Sequence, residues 1–323
     1  MIEEVYPGIL RMEIPIPENP LRATNAYLIL SGERNLLVDT GINRPESRTA
    51  MQSCLEEAGV DLSRTDFFIT HNHADHIGLA PELKTDSSRI FLNPQDASFL
   101  KDPDHWSKIA SVAKKNGFPE SILEAALQRH PARRHVLKGP LDFDPLGEGT
   151  LIRVGSYRFI CIETPGHSRG HTCLYEPQAK LLFSGDHVLG SITPNISAYV
   201  DNGDPLGEYL RSLEKIGRYE VDLVLPGHRD PFRNFRERIR ELLDHHDARN
   251  RETLTVLQHG KQSAYEVATQ MTWDISCGQW ADFPVPQKWF ATGETLSHLR
   301  YLEGQGKVRR DLKGGKTFFV LAE

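Results

Sequence analysis

The amino-acid sequence predicts an α/β protein with a helical insertion and a small C-terminal domain. Short apolar runs alternate with helical patterns through residues 1–235. Residues 95–135 interrupt this alternation with segments that are helical only. From about residue 236, charged helices are followed by two strands that flank Gly314 and Gly315, which is a hairpin signal. The predicted domains are therefore residues 1–235, carrying the insertion, and residues 236–323.

Apolar runs bounded by turn residues define the strands. They are predicted at residues 9–14, 26–30, 35–39, 66–70, 89–92, 151–154, 159–162, 172–175, 180–183, 221–225, 307–310 and 316–320. Helical periodicity predicts helices at residues 45–58, 97–100, 106–115, 120–130, 209–216, 235–259 and 291–303. Gly59 is a stop signal for the first helix. Ser263 and Glu266 form a capping box that begins a further helix.

Composition excludes some classes of function. The formal net charge of −6 gives no general attraction to nucleic acid or to anionic lipid. No apolar run approaches the roughly 20 residues that span a bilayer, so no membrane partner is expected. The N-terminus lacks a basic region followed by an apolar one, and the four cysteines form no Cys-x-x-Cys pair. These features predict a cytoplasmic protein with reduced thiols.

The segment from Thr70 to Gly78 is the strongest indication of chemistry. It places His71, His73, Asp75 and His76 within six residues, directly after an apolar strand. Imidazole nitrogens and carboxylate oxygens are the ligands expected for zinc or a related first-row metal. Surface histidines in a polar turn would explain one or two of these residues, but not four at this spacing. The segment therefore predicts a metal site.

Three further ligand candidates stand at strand ends downstream. His167 follows the strand at residues 159–162, Asp186 follows the strand at 180–183, and His228 follows the strand at 221–225. Each arrangement consists of an apolar strand, then a small residue or glycine, then the candidate ligand. Four such arrangements in one chain predict one shared site at the edge of a sheet.

This pattern resembles the metallo-beta-lactamase superfamily. The resemblance consists of His71-x-His73-x-Asp75-His76 followed in order by His167, Asp186 and His228, with Asp39 at the position of the early strand-end aspartate. It implies a four-layer αββα sandwich with the site along one edge. It also implies that His71, His73 and His167 bind one metal, that Asp75, His76 and His228 bind another, and that Asp186 bridges the two.

The chemistry of these residues agrees with the assignment. Sharing Asp186 gives each metal four protein ligands and leaves a position open for a bridging water. Two metals lower the pKa of that water toward neutrality, and the hydroxide would attack an electrophilic carbonyl or phosphorus. Asp75 and Asp186 are the predicted catalytic carboxylates. Zinc is the expected divalent metal, with iron and manganese as alternatives, since all three accept mixed nitrogen and oxygen ligands.

Three residues outside the ligand set are candidates for supporting roles. Asp39 could orient a ligand imidazole, although a strand-end turn explains it equally well. His171 lies four residues after His167 and could orient a ligand or contact substrate. Tyr199 could donate a hydrogen bond to a substrate oxygen or protonate a leaving group.

The expected reaction is hydrolysis of a small-molecule acyl thioester, ester or lactone. The segment from Thr164 to His171 resembles glyoxalase II, and the bridging position holds an aspartate and not a cysteine. The insertion and the C-terminal domain depart from glyoxalase II, which favours a broader acyl thioester over a glutathione substrate. The lack of a secretory signal argues against an antibiotic-degrading enzyme.

Two alternatives stay open. The C-terminal helices and hairpin resemble a winged-helix module, and the combination resembles the mitochondrial beta-lactamase-like endoribonuclease, which implies phosphodiester cleavage in single-stranded RNA. Residues 236–323 are nearly neutral, with 13 Lys/Arg and 12 Asp/Glu, so nucleic acid is the less favoured partner and packing or homodimerisation is an equal expectation. The histidine segment also resembles the persulfide dioxygenase branch, which uses a single iron.

Overall fold

The computed structural model describes residues 2–130, 133, 141–198, 203–274 and 279–322. The chain divides into two compact units. Unit 1 consists of Met1–Lys101, His135–Pro194 and Ser212–Ile239, and unit 2 consists of Asp102–Arg134, Asn195–Arg211 and Arg240–Glu323. Compactness alone does not define a segment that folds independently. The predicted domain boundary between residues 235 and 236 therefore stays a prediction.

Unit 1 contains a mixed sheet in which the strands follow one another in chain order. They are β1 (Ile2–Tyr6), β2 (Ile9–Pro15), β3 (Ala23–Ile29), β4 (Asn35–Val38), β5 (Thr65–Phe68), β6 (Ile90–Leu92) and β7 (Asp144–Pro145). Strands β1 to β4 pair antiparallel. Strands β4 to β7 pair parallel, so their carboxyl ends point the same way. The carboxyl end of β5 leads directly into the histidine segment.

A second sheet of unit 1 has the order β12-β11-β10-β9-β8. Its strands are β8 (Leu151–Val154), β9 (Tyr157–Glu163), β10 (Thr172–Glu176), β11 (Leu181–Gly185) and β12 (Leu223–Pro226). Strands β8 to β11 pair antiparallel, whereas β11 and β12 are parallel. The parallel pair brings the carboxyl ends of β11 and β12 side by side, so Asp186 and His228 follow the ends of adjacent strands.

The two sheets pack face to face around an apolar core. Tyr27 and Phe68 of the first sheet belong to the same buried cluster as Phe159 and Phe183 of the second. The rings of Tyr27 and Phe183 meet edge to face with centroids 5.3 Å apart, a favoured aromatic geometry. The other face of the first sheet forms a separate buried cluster with Met51 of the first helix. These packed sheets and helices confirm the predicted α/β class.

The helices agree broadly with the predicted ones. They are α1 (Pro45–Glu57), α2 (Ala74–Ile77), α3 (Ala80–Leu83), α4 (Pro94–Lys101), α5 (His105–Lys115), α6 (Glu120–Arg129), α7 (Pro205–Ile216), α8 (Phe235–Leu257), α9 (Ala264–Ala268) and α10 (Val285–Gly304). The histidine segment is not entirely loop, because α2 forms one turn within it. Among the described residues, none of the helices combines the length and apolarity that a bilayer crossing requires.

The largest error in the predicted helices concerns α10, which begins at Val285 and not at residue 291. Pro286 occupies the first turn of the helix. Proline is tolerated there because the first amide groups of a helix have no intrahelical acceptor. The prolines at 284 and 286 are therefore compatible with a helix that begins at Val285.

Unit 2 contains the predicted capping box and the predicted glycine hairpin. The predicted capping box at the start of α9 is confirmed, since Ser263 Oγ accepts from the Glu266 amide and Glu266 accepts from the Ser263 amide. The hairpin of β13 (Val308–Lys313) and β14 (Lys316–Leu321) turns at Gly314 and Gly315, which have φ of 59° and 75°. Two adjacent positive φ values are the requirement of a type I′ turn. The winged-helix resemblance itself stays a prediction.

Strand β1 was not predicted from the sequence. It lies at the edge of the first sheet, and Glu3 and Glu4 are exposed on it. Its pairing with β2 sets Glu3 opposite Arg11, and the two side chains form an ion pair of 3.2 Å. The two consecutive glutamates break the alternation of apolar and polar residues that marks a strand, so the sequence signal of β1 is weak.

Candidate metal centre

The predicted ligands meet at strand ends of unit 1. Strand β5 is followed by the histidine segment, β9 by the loop of His167, β11 by Asp186, and β12 by Gly227 and His228. Both sheets therefore contribute to the same place. Side chains far apart in the sequence converge there because each of these strands ends at this edge.

His71, His73 and His167 form the first group. One ring nitrogen of each lies within 4.8 Å of the others. The Nδ1 atom of His73 lies 3.0 Å from the Nε2 atom of His167. The His71 ring is 4.5 Å from the His73 ring and 4.9 Å from the His167 ring, between centroids. Three imidazole nitrogens at this separation can coordinate one cation.

Asp75, His76 and His228 form the second group, again with one possible ligand atom each within 4.8 Å of the others. The Asp75 Oδ2 atom is 3.8 Å from His76 Nε2 and 3.4 Å from His228 Nε2. Unlike the two histidines, which are fully buried, the Asp75 side chain is 19% exposed. This group contains one carboxylate and two imidazoles.

Asp186 lies between the two groups. Its Oδ1 atom is 3.5 Å from His76 Nε2, and its Oδ2 atom is 3.5 Å from His167 Nε2 and 3.3 Å from His228 Nε2. His71, His76 and Asp186 also satisfy the 4.8 Å criterion together. The Asp186 carboxylate therefore contacts both groups at once, as a shared ligand would.

Hydrogen bonds at the opposite ring nitrogen orient the buried imidazoles. His76 Nδ1 donates to Asp39 Oδ2 at 2.7 Å, and His228 Nδ1 donates to the Ala23 carbonyl at 2.7 Å. His71 Nδ1 lies 3.0 Å from the Thr70 hydroxyl. Because Nδ1 is used in each case, Nε2 faces the centre. This is the arrangement that orients histidine ligands in metal sites.

The inward-facing atoms lack other partners. Within the described part of the chain, the Nε2 atoms of His71, His76 and His228 and the Oδ1 atom of Asp186 are buried without a hydrogen bond. Leaving a buried polar atom unpaired is destabilising by about 1–3 kcal/mol. Divalent cations that accept these lone pairs would remove this penalty. The residues present therefore fit a metal centre of mixed nitrogen and oxygen ligands.

The electrostatics differ between the two groups. Burial, then the neighbouring histidines, lowers the pKa of His71 well below its ordinary value and that of His73 to about 3. Burial also opposes the charge of His228, but the Asp186 and Asp75 carboxylates outweigh it and raise its pKa to about 10. The pKa of His76 is likewise raised, by Asp39 and Asp186 against the effect of burial. The first group therefore offers neutral lone pairs, and the second is paired with carboxylates.

Asp39 holds the imidazole of His76 and connects two segments. Its carboxylate accepts hydrogen bonds from the amide and hydroxyl of Thr70 and from His76 Nδ1. Its φ of 58° is unusual for a residue other than glycine, and the side chain is almost fully buried. Such strained backbone persists where the surrounding contacts hold it. Asp39 thus contacts His76 from behind and is not one of the inward-facing groups.

His171 acts on the backbone of Asp186. Its Nε2 atom accepts a hydrogen bond of 3.1 Å from the Asp186 amide, so the proton of the neutral ring is on Nδ1, which is 2.7 Å from the Thr164 hydroxyl. Burial is the main reason that the pKa of His171 lies well below its ordinary value. The predicted supporting residue Tyr199 lies outside the described residues.

One residue of the centre was missed in the sequence. Asp96 is buried in α4 and contacts the loops of His73 and His167. Its signal was present, because it follows the apolar strand β6 by four residues, much as the ligands follow theirs. The helical pattern instead places Asp96 in the insertion predicted at residues 95–135.

Gly227 leaves room for the centre. A Cβ atom at this position would lie 2.5 Å from Asp186 Oδ1 and 2.9 Å from His76 Cε1, closer than real contacts allow. We therefore expect Gly227→Ala to displace these ligands and to weaken zinc affinity by about 10–100-fold, comparable to the loss of a residue that orients a ligand. Gly32→Ala is the matched control, because no heavy atom lies within 4 Å of the added Cβ atom. Chelator competition on both variants measures the difference, and equal affinities would contradict the expectation.

The family model described as the metallo-beta-lactamase superfamily matches residues 19–228. The chain belongs to this superfamily. The prediction of a metallo-hydrolase of this superfamily is thereby confirmed at the level of the family, whereas the glyoxalase II-like and endoribonuclease-like branches stay predictions.

Individual members of the superfamily are similar over most of the chain. An atrochrysone carboxyl ACP thioesterase of Emericella nidulans is 24% identical over 97% of this chain and 84% of its own length. The probable metallo-hydrolase YqjP of Bacillus subtilis is 25% identical over 91% of this chain and 92% of its own. Among solved structures, the metallo-beta-lactamase family protein TTHA1429 of Thermus thermophilus is 28% identical, with a TM-score of 0.81 over 98% of this chain and 99% of that one.

Proposed function

We propose that the protein is a binuclear metal-dependent hydrolase that cleaves acyl thioesters, with related esters or lactones as lesser substrates. The observation that carries this proposal is the convergence of seven side chains on one point, with Asp186 in contact with both groups. Relatives that are named acyl carrier protein thioesterases support the thioester class.

In this proposal His71, His73 and His167 hold one cation, Asp75, His76 and His228 hold the other, and Asp186 is shared. When bound, two divalent cations act as Lewis acids toward the substrate oxygen and lower the pKa of a coordinated water. Zinc is the favoured metal, since imidazole and carboxylate are among its common ligands.

The protein residues orient the imidazoles of the centre and keep its more exposed carboxylate ionised. Asp39 holds His76 through Nδ1, and the Ala23 carbonyl holds His228 in the same way. Asp75 is more exposed than Asp186 and keeps its charge, because His76 and His228 lower its pKa against the effect of burial. We assign Asp75 the role of an ionised ligand on the more exposed side of the centre and Asp186 the fixed spacing of the two groups.

A substrate panel with metal analysis tests the proposal. The panel contains an acyl-CoA, an N-acetylcysteamine thioester, a thioester on an acyl carrier protein, a lactone, a nitrophenyl phosphodiester, a short single-stranded RNA and glutathione persulfide. We expect thiol release that requires about two equivalents of metal per chain. RNA cleavage without thiol release would favour the endoribonuclease alternative. Oxygen uptake with one iron per chain would favour the dioxygenase.

A further inference from the structure

Asp96 joins the two loops that carry His73 and His167. It lies in α4 and is 1% exposed. We propose that Asp96 is a positioning residue that fixes the distance between these two histidines. The inference rests on the proposed metal centre but concerns a residue outside the predicted ligand set.

The contacts of Asp96 reach both loops. Its Oδ2 atom accepts from the Asn72 amide at 2.9 Å and from the Ser168 hydroxyl at 2.7 Å. Its Oδ1 atom accepts from the Gly170 amide at 2.8 Å. Asn72 lies between His71 and His73 in the sequence, while Ser168 directly follows His167. One carboxylate thus holds both loops with hydrogen bonds to its charge, which are stronger than those between neutral groups.

The approach of the second loop is close. A Cβ atom at Gly170 would lie 2.8 Å from the Asp96 amide nitrogen and 2.9 Å from its Cγ atom. The loop therefore contacts the first turn of α4 directly. Further back, the Thr172 amide donates to the Thr70 carbonyl at 2.9 Å and joins the strand ends. Asp96 makes the corresponding connection at the ligand-bearing parts of the loops, where His73 and His167 are 3.0 Å apart.

The environment of Asp96 opposes the charge of its carboxylate. Among the described residues its hydrogen-bond partners are two backbone amides and one hydroxyl, with no cation. Burial raises its pKa to about 6, although the three hydrogen bonds oppose the shift. A buried carboxylate without a cation is costly to ionise. The hydrogen bonds by which it holds the loops of His73 and His167 explain why a carboxylate occupies this position.

The test measures metal binding and needs no substrate. Asp96→Asn keeps the shape of the side chain but replaces one acceptor oxygen with a donor, so one of the two backbone amides, that of Asn72 or that of Gly170, loses its acceptor. We expect zinc affinity, measured by competition with a chromophoric chelator, to fall about 10–100-fold. The absorption spectrum of the cobalt form should also change, because the angle between His73 and His167 changes.

Two variants separate positioning from general stability. Ser168→Ala removes one hydrogen bond and leaves both backbone contacts, so we expect zinc affinity to fall less than in Asp96→Asn. This variant also serves if Asp96→Asn does not fold. Asp66→Asn is the matched control, since Asp66 is a buried carboxylate that binds Arg34 and Arg89 at the other end of β5. It should lower thermal stability without changing zinc affinity or the cobalt spectrum.

The outcomes are distinct. Wild-type zinc affinity in both Asp96→Asn and Ser168→Ala would overturn the inference and leave the proposed function standing. An equal loss in Asp66→Asn and Asp96→Asn would also overturn it, because the effect would then be general destabilisation. A wild-type protein that binds no metal would overturn both proposals.

Discussion

Replacing Asp186 with alanine is expected to remove one or both metals and to abolish turnover while the fold survives. Its carboxylate lies within 3.5 Å of ring nitrogens of His76, His167 and His228. Alanine leaves these imidazoles without the group that joins them. The loss of zinc affinity should exceed the roughly 10–100-fold that follows when a residue orienting a ligand is removed. Metal analysis after gel filtration, together with circular dichroism, measures both parts of the expectation.

Asp86→Ala is a suitable control for this substitution. Asp86 is an exposed aspartate of the same unit, on the segment between α3 and β6. It should retain the full metal content and activity. If Asp186→Ala retained two metals and full activity, the assignment of the shared ligand would be wrong. If Asp86→Ala lost metal as well, the measurement would be reporting something other than coordination.

Metal removal is expected to lower the thermal stability of the protein substantially. A ligand that binds only the folded state stabilises it by roughly 4 kcal/mol at a free concentration 1,000 times its Kd. In a chain of this length each kcal/mol changes Tm by roughly 2 °C, so zinc should raise the Tm of the chelated protein by roughly 5–10 °C. The buried Nε2 atoms of His71, His76 and His228, which lack hydrogen bonds among the described residues, are the reason to expect this gain.

Differential scanning calorimetry with and without zinc measures the shift. Magnesium provides the matched comparison, because it prefers oxygen ligands, and most of the ligands here are imidazoles. It should raise Tm little, and the zinc-dependent shift should be much smaller in Asp186→Ala than in the wild type. An equal shift with both metals would indicate binding to surface carboxylates and not to this centre.

The parts of the fold that sequence patterns predicted are those with strong local signals. Strands β9 to β12 have apolar runs bounded by turn residues, and the capping box of Ser263 and Glu266 depends on two neighbouring residues alone. The candidate ligands were found for the same reason, since each follows its strand within a few residues. Parallel strand ends at one edge then bring them together.

The parts that were missed depend on contacts between distant segments. Asp96 binds loops that are 24 and more than 70 residues away in the sequence, and its position after β6 does not identify these distant partners. Strand β1 is defined by its pairing with β2, and the adjacent Glu3 and Glu4 interrupt its apolar pattern. The start of α10 was placed too late, and the structure shows that Pro286 is accommodated in the first turn of this helix.

The parallel pairing of β11 and β12 bears on how the protein acquires its ions. The Gly227 amide donates to the Gly185 carbonyl at 2.8 Å, and the Asn25 amide donates to the Gly227 carbonyl at 2.7 Å. Main-chain hydrogen bonds thus fix the flanks of Asp186 and His228. In zinc fingers, by contrast, the chain folds only when the metal arrives. Here the main-chain hydrogen bonds order the two strand ends as part of folding, so little conformational entropy is left to oppose the binding of a cation.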